Sequence, residues 1–162
     1  MGVAEGLLER KALLLGWRDD SGRRVILDAE TGAAVGFRQH RPRTGWWARF
    51  GRRVVEVREQ EDDSLLFTVR RCWSLFAWFE VSDADDGLVG WHGLSMVLDR
   101  AGRRLALREE DAETGASWFS GSDGRVLARL APQGDDLRLT FADELTEEPF
   151  VKMLLLAAAL RW

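Results

Sequence analysis

Apolar and polar side chains alternate with period two from residue 24 to residue 142. Asp136 to Phe141 is the clearest stretch: Leu137, Leu139 and Phe141 fall on one face, Asp136, Arg138 and Thr140 on the other. Val55 and Val57 alternate with Glu56 and Arg58, Phe67 and Val69 with Thr68 and Arg70, and Leu105 and Leu107 with Arg104, Ala106 and Arg108. Val126, Ala128 and Leu130 form a further inward set. This period predicts antiparallel strands with one buried and one wet face. Ser21-Gly22, Thr31-Gly32, Asp86-Gly87, Ala101-Gly102, Thr114-Gly115, Asp123-Gly124 and Gln133-Gly134 punctuate the apolar runs as turns. The count predicts about eleven or twelve short strands. Pro42, Pro132 and Pro149 are all expected outside strand cores, because proline cannot donate to a ladder.

The pattern changes in the last thirteen residues. Phe150 to Trp162 is apolar on every side except at Lys152 and Arg161. A helix that is hydrophobic all round must be surrounded by protein or lipid. At about 1.5 Å per residue it spans roughly 20 Å, short of the roughly 30 Å core of a bilayer. The expected fold is therefore all-β with one central helix: a closed antiparallel barrel of about twelve strands around a buried C-terminal α-helix. Thr146 is the expected cap, with Glu147 and Glu148 at the positive end and Pro149 in the first turn. Ala157, Ala158 and Ala159 make the helix thin, which suits a narrow interior filled by protein with no large ligand cavity.

Leu7, Leu8, Ala12 and Leu15 allow an amphipathic helix, while Lys11 to Trp17 allow a first strand. The reading adopted is one domain over 1–162, with 1–10 as a frayed extension followed by a strand. Two echoes run along the chain. Asp28 to Phe37 parallels Asp83 to Trp91, each a strand end, a turn and a strand opening Val-Gly-aromatic; Gly-Arg recurs at Gly22, Gly102 and Gly124. Recurring hairpin chemistry and a duplicated half-barrel both account for this. Phe76, Trp78 and Phe79 are expected in one strand with aromatics on both faces.

Composition narrows the class. With 162 residues, 46% hydrophobic and 31% charged, the chain can bury a core and is not a disordered segment. A formal net charge of −4 gives no reason to expect nucleic acid. A single cysteine, Cys72, excludes an internal disulfide. That and the lack of a secretory leader lead to an expectation of the cytoplasm, with peripheral contact at the inner membrane surface left open. No stretch is long enough for a transmembrane span.

The chain resembles the tubby C-terminal-like superfamily, in particular its scramblase-like and LURP-one-related branch. The resemblance covers residues 20–162. It rests on Ile26-Leu27-Asp28 with Gly32 and Val35-Gly36-Phe37; Val54 to Val57; Leu65 to Arg71; Phe79 to Gly87 with Val89-Gly90; Trp118-Phe119 with Asp123-Gly124-Arg125; and the terminal apolar helix. It implies the same helix-filled barrel. It also implies a non-enzymatic module contacting anionic phospholipid headgroups or a protein partner. Asp143 to Glu148 is acidic but lacks the alternating aspartates of scramblase-type calcium segments, and no cysteine-rich cluster or proline-rich arm is present. Tubby-type members bind phosphoinositides through basic wall residues, none of which is carried over to a position here.

The main candidate site is the stretch 38–53. Arg38, Arg41, Arg43, Arg49, Arg52 and Arg53, with His40, interleave with Trp46, Trp47 and Phe50, and no carboxylate occurs between Glu30 and Glu56. Arginine forks bind phosphate, and tryptophan lies well at a membrane interface. The same stretch also reads as a long connection whose tryptophans cover a barrel end while its arginines face water. Asp83 to Gly87 fails as an EF-hand, since the glycine is fifth and Leu94 occupies position twelve. It reads as an acidic turn. Glu109 to Glu113 reads as a solvated loop, and Ser120 to Gly124 as a hairpin. His40, His92 and Cys72 are too few for an ordinary zinc site, and a Cys72–His92 pair is outweighed by a buried inert thiol. No cofactor is implied. The rival readings are a hollow small-ligand carrier or an uncharacterised enzyme, which differs from the module in where Met153 to Leu160 sits; a peripheral membrane protein with scramblase-like lipid activity; and anchoring by the tail.

Overall fold

A computed structural model of the chain describes residues 6–18, 22–42, 45, 53–72 and 77–160. Twelve strands are formed: β1 (Ala12–Arg18), β2 (Arg24–Asp28), β3 (Ala34–His40), β4 (Val54–Glu59), β5 (Leu65–Arg71), β6 (Phe79–Asp83), β7 (Leu88–His92), β8 (Met96–Asp99), β9 (Arg104–Glu110), β10 (Ser117–Gly121), β11 (Val126–Gln133) and β12 (Asp136–Phe141). Each pairs antiparallel with its chain neighbours, and β1 pairs with β12 to close the barrel. The helix α1 (Pro149–Ala159) runs inside it, with Lys152 to Ala159 and the following Leu160 all buried. Leu155, Leu156 and Ala157 have no exposed surface. They pack with Leu13, Ile26, Val57, Phe67, Val81, Phe119 and Leu139 into one cluster.

The helix begins differently from the sequence expectation. Glu148 occupies the N-cap, makes no side-chain cap bond, and is followed directly by Pro149. Thr146 instead closes a 3₁₀ turn, Asp143–Leu145, donating its hydroxyl to Asp143 O at 2.7 Å. Proline already lacks the N–H that a cap would satisfy, which lowers the demand for one.

A short 3₁₀ turn, Leu7–Glu9, plugs the end at which α1 enters, so the expected frayed start does not reach Leu7. Leu7 is fully buried, and its N–H donates to both oxygens of Glu59, at 3.0 and 3.1 Å. Burial raises the Glu59 carboxyl above its usual range, outweighing the hydrogen bond from Leu7. Lys152, 2% exposed, joins plug to helix: its Nζ donates to Leu8 O at 2.8 Å and Arg10 O at 3.3 Å and lies 5.2 Å from the Phe141 ring centroid. Burial lowers its pKa, opposed by Glu9.

The echoes in the sequence are one hairpin geometry used repeatedly. The register slips at the second residue of β3, β5, β7, β9 and β11, namely Val35, Leu66, Val89, Leu105 and Leu127. All five pack in or against the core. A bulge bends its strand and sharpens the twist, as a closing barrel requires. Gly36 and Gly90 follow two of these bulges. A Cβ at Gly36 would meet Leu7 Cδ1 at 2.2 Å, and one at Gly90 would meet Leu98 O at 2.2 Å with Leu154 beyond. The Val-Gly-aromatic echo thus marks where an interior element passes close to the wall. A more exact repeat is also present: Asp28 to Ala33 and Asp111 to Ala116 are identical in sequence. Both form the same turn, the aspartate accepting from the residue two ahead and the threonine from the following alanine. The two lie at opposite ends of the barrel, so turn chemistry explains them.

Three further expectations are corrected. On β9 the inward set is Leu105, Ala106 and Arg108 rather than Leu105 and Leu107, because the bulge at Leu105 shifts the alternation by one. Pro132 lies within β11, opposite Leu137 and one residue from the strand's end, where a ladder donor is least needed. Trp78 precedes β6 rather than sharing it with Phe79, and Phe76 lies outside the described residues.

Candidate binding site at the barrel mouth

The alternation of strand direction places connections 41–53, 72–78, 93–95, 111–116 and 134–135 at the end where α1 terminates. Of the sequence candidates, Arg38, Arg41 and Arg53 are described, at or beside this mouth. Connections 29–33, 60–64, 84–87, 100–103 and 122–125 and the link 142–148, at the plugged end, carry eleven carboxylates and three arginines. The connections at the mouth, 19–23 included, carry six arginines and five carboxylates, and five of those arginines fall in 41–53. The plugged end is therefore the acidic one.

Of the predicted arginines, Arg38 faces the interior near the end of β3. Its Nη1 donates to Leu160 O at 2.6 Å, placing a cation on the negative end of α1. Arg41 lies on the outer wall, its Nε 2.7 Å from Glu56 Oε1. Glu56 also accepts from Arg58 Nε at 3.0 Å and Gln39 Nε2 at 3.3 Å. Burial pulls the Glu56 carboxyl upward, but the bonds from Arg41, Arg58 and Gln39 prevail and hold it below its usual range. Arg53 is exposed just before β4. Arg43, Trp46, Trp47, Arg49 and Arg52 lie outside the described residues.

The register brings in arginines that the sequence reading missed. Arg24 stands opposite Arg38 on β3. Like charges directly opposite one another in a sheet are costly. The C-terminal carbonyls of α1 offset part of that cost. Arg23 sits 4.6 Å over the Phe37 ring centroid. Arg23, Arg24, Arg38, Gln39, His40 and Val55 together line a cleft of about 540 Å³ at the mouth. The signal that locates Arg23 and Arg24 is the pairing of β2 with β3, which no local motif reveals.

The remaining candidates settle into structural positions. Asp83 Oδ1 accepts from the N–H groups of Asp85 and Gly87 at 3.0 and 2.7 Å, turned into its own hairpin. Glu109, expected in a solvated loop, belongs to β9 and accepts from Trp118 Nε1 at 2.5 Å and Ser120 Oγ at 2.9 Å. The Cys72 N–H donates to Trp78 O at 2.8 Å. His92, 2% exposed, stacks on Phe79 with ring centroids 5.0 Å apart, and burial lowers its pKa to about 4. Among the described residues no group of three or more His, Cys, Asp or Glu side chains is placed to hold a metal, and no helix is long and apolar enough to cross a membrane. No protein-family model, curated protein or solved structure matches the chain.

Proposed function

We propose that the protein is a non-enzymatic binding module that presents its barrel mouth to anionic phospholipid headgroups. The observation that carries this reading is the cleft formed by Arg23, Arg24, Arg38 and His40 beside the arginine-rich connection 41–53. Arginine is suited to phosphate because its planar fork makes two parallel hydrogen bonds and stays charged at every relevant pH. The acidic plugged end, with the arginines of the mouth gathered in 41–53, supports a fixed orientation, mouth toward an anionic surface and plugged end away. Trp46, Trp47 and Phe50 add side chains suited to the interfacial layer. The resemblance to scramblase-like and LURP-one-related proteins points to the same ligand class.

Vesicle co-sedimentation tests the reading. The chain is expected to pellet with phosphatidylcholine vesicles containing phosphatidylglycerol and not with phosphatidylcholine alone. Raising salt from 0.05 M to 0.5 M is expected to weaken binding about tenfold or more, as screening requires. Changing Arg41, Arg43, Arg49 and Arg52 to Glu together, or Arg23 to Glu alone, is expected to reduce binding in proportion to the charge reversed. Equal pelleting with neutral and anionic vesicles, or charge reversal without effect, overturns it.

A further inference from the structure

Three large apolar side chains are exposed among the described residues: Leu94 at 84%, Phe150 at 54% and Leu88 at 38%. All three lie at the ends of the barrel and none on its wall. Leu94 is the tip of the β7–β8 turn at the mouth, where the Gly93 N–H donates to Met96 O at 2.8 Å. Such a tip ordinarily carries glycine, asparagine, aspartate or serine, so turn chemistry does not account for a leucine there. Phe150, in the first turn of α1, and Leu88, the first residue of β7, stand at the plugged end.

The charges beside these side chains are opposite in sign at the two ends. Glu144, Glu147 and Glu148 are exposed just before Phe150, and Asp85 and Asp86 just before Leu88. None of the five has a cationic partner among the described residues, whereas Asp143 beside them pairs with Lys11 at 2.6 Å. At the mouth Arg53 and Arg71 are exposed and make no ion pair among the described residues. The wall lacks this contrast, since Arg41, Arg58 and Arg70 are matched there by Glu56 and Glu80. Twelve strands about 4.8 Å apart and tilted by about 40° enclose a backbone cylinder roughly 24 Å wide. With its side chains each end face is on the order of 800 Å², the area that one partner brings to a standard interface.

We infer that copies of this chain stack head to tail, the plugged end of one on the mouth of the next. Phe150 and Leu88 of one copy pack against Leu94 of its neighbour, and the unpaired carboxylates of the first face the arginines of the second. The contact joins two different surfaces, so each added copy leaves one mouth and one plugged end free, and the assembly grows as a row instead of closing as a pair. It does not depend on the headgroup reading, and the last mouth of a row is left free for that surface.

Sedimentation velocity on the full chain, in a series rising to millimolar concentration, tests the inference. At about 0.05 M salt the average mass is expected to climb past that of a dimer without a plateau, and at about 0.5 M salt the association is expected to weaken about tenfold or more, as screening requires. Leu94→Ser and Phe150→Ser, both at exposed positions, are expected to keep the wild-type thermal transition and each to weaken association about tenfold, the loss of one apolar anchor's burial. Mixed in equal amounts, the two variants are expected to form a dimer at wild-type strength and to stop there, because each pair retains one intact mouth facing one intact plugged end. A chain that stays monomeric throughout, association that strengthens with salt, or a mixture no stronger than either variant alone overturns the inference. So does a plateau at the dimer with Phe150→Ser behaving as wild type, which would mark a pair joined mouth to mouth.

Discussion

Single side chains in this barrel are constrained by what passes inside the wall. Gly90 sits where Leu98 O and Leu154 leave no room for a Cβ. Gly90→Ala is expected to cost about 1–3 kcal/mol, the range for forced overpacking, read as a lower urea midpoint at unchanged m-value. His92 imposes a pH dependence whose sign follows from its burial. Its folded pKa of about 4 lies below the unfolded value of 6.5, so between these limits only the unfolded chain takes up the proton. Stability is therefore complete above pH 6.5 and falls on acidification, by about 2 kcal/mol between pH 6.5 and pH 5 at roughly 1.4 kcal/mol per unit. Urea titrations at these two pH values are expected to show that loss in the wild type and not in His92→Phe. The carboxylates of β4 act with opposite signs. Glu56, held low by its arginines, withdraws stability as it protonates, whereas Glu59, held high by burial, returns some.

At the level of elements, the strands were legible because nearly all have one apolar face, and period two survives short lengths. Errors came where a bulge slipped the alternation. Leu105 shifted β9 by one residue, which hid Arg108 on the apparent solvent face. The helix was legible from its uniform apolarity, and its interior position follows from the lack of any polar stripe to face water. Of the candidate site, the composition of connection 41–53 was visible in the chain, but Arg23 and Arg24 join it through pairing across strands. Removing residues 150–162 deletes the centre of the core cluster. The truncated chain is expected to lose its cooperative thermal transition and cold near-ultraviolet signal, whereas a barrel with an external tail would retain both.

On the scale of the whole molecule, the barrel has one sealed end and one open end. At the sealed end the 3₁₀ turn is locked by Glu59 and Lys152. At the other end one cleft is lined by Ala158 of the last turn of α1 and another by Arg23, Arg24 and Arg38. The proposed headgroup contact lies at that end, on the rigid frame of the sheet. The enclosed helix has a further consequence, for the order of assembly. Every strand is translated before α1, yet β1 and β12 close around it. A nascent chain can present all twelve strands while still lacking the element that fills them, with apolar faces and unpaired edges open to other chains. Closure must wait for the helix and then for the pairing of the first and last strands, the most distant in sequence, so that pairing is the slow step and the interval before α1 is made is the stage most exposed to aggregation.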